Sequence, residues 1–458
     1  MRLYKILNFF TINLLTYIYM HVNKTVLLII VLCFLIFLYI TNNSCNNREY
    51  MEHLSLKPRI GGYWENWKPI DWNAPTEKDF ECMKGCHDWF YSFVTLDLYP
   101  SPDNPHNASW DQSRLYGSKR ALLTRDNKLP SGSGEQSSWL AALLTSAQKS
   151  GAKGWIAIGG WSDLQHTPSS ITEGDNMVTV IKNLVKAYTF NGVKPGIDFD
   201  WEHLMGYYNG SGTVCWDGYT GFLHCLILGY IMQKLKDDGI EISFTSRGNS
   251  FAPFVPHEPF HACEGVLVTL GSALVSRNAK DSDLKEFIEK YAIPVYKWAK
   301  SLKIKNKFTT APILTEVSFT VTKPPDVIKE LNIKDFPFIR LQLMTYDLVN
   351  WGYGMKQPFT LTNYKSFINQ TIEIAHALVP SISKDKFRKI IAVGFEPAYQ
   401  ANKGIPMCHI EPNNRPTKQN IKNLKKKDCK VLWKDTLEWL GKNSGGYIIW
   451  AMNDNNRN

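Results

Sequence analysis

The sequence has no internal repeat and no low-complexity tract, and from residue 58 onward no linker interrupts it. Its absences narrow the function classes. A net charge of +10 would suit a polyanion, but no basic stripe is joined to a recognition module, so nucleic-acid binding has no support. The densest basic run, residues 422–430 (KNLKKKDCK), reads as a solvated loop. A zinc site at Cys82, Cys86 and His87 lacks a fourth ligand nearby. No cofactor or metal is implied.

The first fifty residues are a different material. Residues 25–40 (TVLLIIVLCFLIFLYI) carry no charge, and Lys24, Lys5 and Arg2 lie upstream. The run is slightly shorter than the roughly 18–20 residues of a full span, so a signal anchor competes with a signal peptide. No small-x-small cleavage site follows Ile40, which favours an uncleaved anchor at 25–41, with 1–24 as a cytoplasmic segment or extension and 42–57 as a stem. The positive flank then puts residues 58–458 on the lumenal or extracellular side, membrane-anchored or, if cleaved, secreted. Eight cysteines lie outside that run, an even number suited to an oxidising compartment. Cys82 with Cys86 and Cys408 with Cys429 are the first pairs expected. Sequons at Asn42, Asn107, Asn209 and Asn369 offer glycan acceptors after export.

From residue 58 short apolar runs alternate with helical patterns, the grammar of parallel strands and crossover helices. Strands are expected at 59–63, 89–96, 154–159, 196–201, 341–346, 390–395 and 446–451. An eighth is needed to close a (β/α)8 TIM barrel. Residues 241–246 (EISFTS) and 307–314 (KFTTAPIL) compete for it, so a sizeable insertion lies between the fourth and sixth strands.

The segment Gly196-Ile-Asp-Phe-Asp-Trp-Glu202 carries the most chemistry. Strand side chains alternate, so Asp198, Asp200 and Glu202 share one face and Ile197, Phe199 and Trp201 the other. In a barrel the acidic set lines the interior, and Glu202 reaches the C-terminal mouth where barrel enzymes keep their chemistry. Crowded, partly buried carboxylates keep one member protonated, as a general acid requires. An exposed amphipathic strand or a cation site would show the same spacing.

PGIDFDWE resembles the D-G-x-D-x-D-W-E signature of glycoside hydrolase family 18, the chitinase family. Four further segments are similar to family motifs in the family's order. They are Gly62-Tyr-Trp-Glu-Asn-Trp67, Lys153 through Gly159-Gly160-Trp161, Gln342-Leu-Met-Thr-Tyr-Asp347 and Gly446-Tyr-Ile-Ile-Trp450. The resemblance implies cleavage of β-1,4-linked N-acetylglucosamine polymers with retention, assisted by the substrate's own acetamido group, an exception to the usual carboxylate pair. It implies Glu202 as acid, Asp200 as holder of the acetamido N–H, and Asp198 beneath it tuning protonation. Tyr346, Asp347, Met344, Gln342, Tyr63 and Trp161 would contact the sugar, and Trp450 would form the floor. Trp64, Trp67, Trp161 and Trp351 fall near strand ends, where some would serve as sugar subsites. The partner implied is a neutral amino-sugar glycan, bound by a monomer.

Three positions depart from the family pattern. Pro195 stands for the first Asp, Ala157 for the Ser of S-x-G-G, and His203-Leu204 for a Tyr-Pro. The first two remove polar support from beneath the catalytic aspartates. Three other readings remain: a chitinase-like lectin that binds without cutting, an endo-β-N-acetylglucosaminidase acting on N-glycans, and a membrane-displayed attachment protein that keeps a vestigial site.

Overall fold

A computed structural model of the chain describes residues 59–66, 75–101, 104–115, 136–160, 167–202, 204, 207–208, 214–215, 218–248, 250–251, 263–302, 321–344, 361–395, 438–450 and 452. The chain divides into two compact units, 1–57 and 58–458. The first, with the expected anchor at 25–41, lies outside the described residues. Among the described residues no helix is long and apolar enough to cross a membrane.

The strands run in chain order β1 (Ile60–Glu65), β2 (Asp88–Ser101), β3 (Asn104–Leu115), β4 (Lys153–Gly159), β5 (Gly196–Asp200), β6 (Tyr207–Tyr208), β7 (Val214–Cys215), β8 (Ile242–Arg247), β9 (Arg340–Met344), β10 (Ile391–Phe395) and β11 (Tyr447–Ile449). Eight of them are parallel neighbours in the order β1-β2-β4-β5-β8-β9-β10-β11, and β11 returns to β1, so the sheet closes on itself. This is the (β/α)8 barrel. The competition for the fifth barrel strand is settled by register: β8 pairs with β5 through Ile197–Ile242 and with β9 through Thr245–Gln342. The rival segment 307–314 lies outside the described residues. The long excursion between the fifth and sixth barrel strands holds the helices Glu264–Ser276, Leu284–Phe287, Ile293–Ser301 and Val327–Leu331.

Two cores follow from strand alternation. The outer one joins strands to helices and contains Ile197, Phe199 and Trp201 of β5 and the residue that follows it, with residues of the helices Ile171–Ala187 and Gly218–Asp237. The inner one is small and aromatic: Tyr63, Phe90, Phe93, Trp155, Ala157 and Ile448, with Trp450 packed against it. β3, an antiparallel strand on β2, was not expected. Its sequence NPHNASWDQSRL shows no apolar alternation.

Two expectations are corrected. Trp64 is no sugar platform: it is 2% exposed and lies in the outer core, stacked on Trp139 at 5.4 Å. Alternation explains this, since Tyr63 takes the inner face and its neighbour must face the helices. Cys82 and Cys86 are not joined by a disulfide. Cys86 is turned into the core near Gly62, and burial pushes its thiol up to about 11. Cys45, Cys408 and Cys429 lie outside the described residues.

Candidate active site

The inside of the barrel is built in levels. At the N-terminal floor, Asp88 at the start of β2 is fully buried. Arg59 grips it through two bonds of 2.6 Å, Arg340 of β9 donates at 2.9 Å, and Trp155 Nε1 donates at 2.8 Å. Burial alone would raise the Asp88 pKa, but Arg340 and Arg59 overcome it and hold the carboxyl below its usual range. Above the floor, the Trp155 ring stacks on Phe90 at 5.4 Å and 12°. That ring explains the glycine of the β5 motif, because a Cβ on Gly196 would lie 2.2 Å from Trp155 Cε3.

The next level surrounds Asp198, which is 0% exposed. Tyr63 of β1 places its hydroxyl 2.6 Å from Asp198 Oδ2. Thr245 of β8 donates to Asp198 Oδ1 at 2.9 Å, and Gln342 of β9 donates to the same oxygen at 3.0 Å. Gln342 Nε2 also donates to Ser243 at 2.8 Å. Burial raises the Asp198 pKa, and the donors around it pull it back only in part. The Tyr63 hydroxyl is driven well above its ordinary value by burial and by the two aspartates. Three barrel strands thus converge on the carboxyl group carried by a fourth.

Asp200 ends β5 one level higher and is 2% exposed. Its backbone oxygen accepts from Gly160 N–H at 2.6 Å. Gly159 adopts φ +113° there, and a Cβ on it would lie 2.5 Å from that same oxygen. The Gly159-Gly160 pair is therefore what lets β4 approach β5 beside the acidic face. Glu202 follows in the turn after β5 and is half-buried. Trp450, also half-buried, stacks on Phe93 at 5.3 Å and tilts against Tyr63 at 5.1 Å.

The structure therefore brings Tyr63, Asp198, Asp200, Gln342 and Trp450 to one interior column, with Glu202 beyond its upper end. Met344, the last residue of β9, is buried at 4% exposure. Trp161, Tyr346 and Asp347, and with them Trp67 and Trp351, lie outside the described residues. Sequence reasoning missed Thr245, Ser243, Asp88 and Arg340. The signal available was polar side chains at every second position of the fifth strand, Ser243 and Thr245, in register with Asp198 and Gln342.

No family model matches the chain, and no curated protein does. Among solved structures, a chitinase from Rhizomucor miehei overlaps 87% of this chain and 96% of its own, at 14% identity and a TM-score of 0.40. A GH18 chitinase from Pseudoalteromonas aurantia overlaps 87% and 96%, at 11% identity and 0.39. Human YKL-39, described as a pseudo-chitinase with retained chitooligosaccharide binding properties, overlaps 86% and 92%, at 11% and 0.42. The chain resembles glycoside hydrolase family 18.

Proposed function

We propose that the protein is a retaining glycoside hydrolase acting on β-1,4-linked N-acetylglucosamine polymers, with Glu202 as acid and base. The observation that carries this reading is the inner face of β5, where two buried carboxyl groups lead to a third at the barrel's C-terminal mouth. Asp198 sits in a cage of hydroxyl and amide donors and burial raises its pKa, which supports a role in tuning the proton on the acidic face. A cation site would instead present carboxylates to an open cavity, and an amphipathic surface strand would expose them.

In the proposed reaction Glu202 protonates the glycosidic oxygen as the bond to the anomeric carbon breaks. The carbonyl oxygen of the sugar's own 2-acetamido group attacks that carbon and gives an oxazolinium ion. Asp200 holds the acetamido N–H and offsets the positive charge that develops on it. Water, activated by Glu202 as base, then opens the ring with overall retention. Trp450, carried on Phe93 and Tyr63, offers an aromatic face for the sugar, and Tyr346 and Asp347 contact the same unit. We place this unit on the lumenal or extracellular side, held by the segment at 25–41.

The test is cleavage of chitooligosaccharides and of a high-mannose glycoprotein by the chain expressed in a secretory host. Glu202→Gln removes the acid with little change of shape, and a loss on the order of 10²- to 10⁴-fold in kcat is expected. Binding of chitooligosaccharide without cleavage by the unaltered protein would refute the hydrolase in favour of a lectin. Cleavage of the glycoprotein alone would move the substrate to N-glycans.

A further inference from the structure

The loops that enter the barrel strands form the end of the barrel opposite Glu202. Among the described residues the large hydrophobic side chains left exposed are Val193, Tyr219 and Ile339, at 46%, 42% and 41%. Two of them lie on that end, since Val193 stands just before β5 and Ile339 directly before β9. Exposed lysines accompany them. Lys194 follows Val193, Lys334 lies in the loop before β9, Lys389 precedes β10 and Lys442 precedes β11. In the barrel order β5-β8-β9-β10-β11 these strands are consecutive neighbours, so the six residues share one half of the N-terminal rim.

The sign of this half-rim follows from its ion pairs. Its carboxylates are engaged. Asp237 accepts from Gln233 at 2.7 Å, Asp238 pairs with Lys182 at 2.9 Å and Glu241 with Lys153 at 3.3 Å. Asp335 pairs with Lys236 at 3.0 Å, and Asp385 faces Arg388 at 4.0 Å. Lys194, Lys334, Lys389 and Lys442 have no carboxylate partner among the described residues. The surface therefore offers cations interspersed with aliphatic side chains. A groove of about 490 Å³ continues it, lined by Ile328, Ile333, Leu378 and Pro380 together with Lys334. Cations set among apolar contacts fit an amphiphilic anion, whose phosphate meets the ammonium groups while its carbon meets the aliphatic ones. A purely polar polyanion would use the lysines and leave Val193, Ile339 and the groove in water. The chain itself joins the barrel on this end, because Arg59 directly precedes β1.

We propose that this half of the N-terminal rim docks on a bilayer carrying anionic headgroups and so turns the barrel mouth, with Glu202, away from that membrane. The choice of a bilayer rests on the reading of residues 25–41 as an anchor. The stem that follows, residues 42–57, reaches at most roughly 55 Å when fully extended, so the rim meets lipid at a high effective concentration. Weak contacts are then enough, and four cations with two aliphatic side chains supply them. The consequence for the site is one of access. Substrate comes from the medium in front of the mouth, as a long polymer does, and glycolipids of the same bilayer stay out of reach.

The test places the full chain in nanodiscs of phosphatidylcholine, alone or with phosphatidylserine, and follows amide hydrogen exchange. At low salt the amides of residues 191–194 and 332–335 should exchange more slowly in the anionic discs, and those around Tyr219 at the other end equally fast in both. One cation near such a surface is worth on the order of fivefold in the docking equilibrium. Lys194→Ser and Lys334→Ser should therefore each cut the protection about fivefold, and neither should change cleavage of a soluble chitooligosaccharide. Equal exchange in both discs overturns the proposal, and so does protection that survives replacement of all four lysines. Protection around Tyr219 in place of the rim overturns it too. Heparin that slows the same amides without lipid, as strongly as the anionic discs do, moves the partner to a polyanionic glycan and refutes the lipid. If the chain does not enter the discs, the anchor reading fails, and anionic vesicles added to the chain in solution test the rim alone. Slowed exchange there sustains the docking surface, and unchanged exchange refutes it.

Discussion

Glu264 opens the helix that follows the fifth barrel strand, and as a buried carboxyl group it makes stability depend on pH. It is 1% exposed, and burial raises its pKa from 4.5 to about 8 against the opposing pull of Arg247 and a bond from Ser246. Below pH 4.5 the group is protonated in folded and unfolded chains alike, and nothing is lost. Between 4.5 and about 8 the unfolded chain releases a proton that the folded chain keeps, so stability falls as pH rises. At pH 7 the gap is 7 − 4.5 = 2.5 units, worth about 3 kcal/mol at 1.36 kcal/mol per unit. That is a large share of the roughly 5–15 kcal/mol available to a typical domain. Glu264→Gln cannot ionise and keeps the size and the acceptor. Denaturant unfolding of both proteins at pH 5, 7 and 8.5 isolates the effect, because every other carboxylate titrates in both. The variant should gain on the native chain by about 2.5 kcal/mol between pH 5 and 7 and level off above 8. A difference that stays constant with pH would show that Glu264 is ionised in the folded chain and refute the reasoning.

The parts of the fold and site that the sequence made legible are those where one strand carried a strong two-residue period. β5 alternates apolar and acidic side chains, so Asp198 and Asp200 could be set inside and Ile197, Phe199 and Trp201 outside from spacing alone. The same rule, applied at Tyr63, would have sent Trp64 into the outer core; proximity to a strand end misled instead. The fifth barrel strand stayed ambiguous because two segments both follow helices, and only pairing with β5 and β9 distinguishes them. β3 was invisible because its partners are backbone groups of β2 and its side chains carry no pattern. Thr245 and Ser243 were invisible for another reason. Serine and threonine are ordinary strand residues, and their role exists only once closure of the barrel sets β8 against the acidic face of β5. The floor ion cluster joins Arg59 and Asp88 to Arg340, which lies 252 positions beyond Asp88, and no local window contains it.

Two further perturbations probe the column beneath the acid. Gly196→Ala drives a methyl group to 2.2 Å from the rigid Trp155 ring, so a cost of about 1–3 kcal/mol and a lowered Tm are expected. An unchanged Tm would mean that Trp155 does not hold that place. Asp88→Asn acts on the floor. Arg59 keeps 49% of its side-chain surface exposed and can turn to water, whereas Arg340 keeps 6% and cannot. The neutral amide therefore leaves one guanidinium buried without its anion, at a cost of about 3–5 kcal/mol in denaturant unfolding. Replacing both partners, Asp88→Asn with Arg340→Met, removes the stranded charge and should recover most of that loss. If the double variant is no more stable than the single one, Asp88 contributes shape and hydrogen bonds to Trp155 rather than charge, and the floor is held by packing of the aromatic column above it.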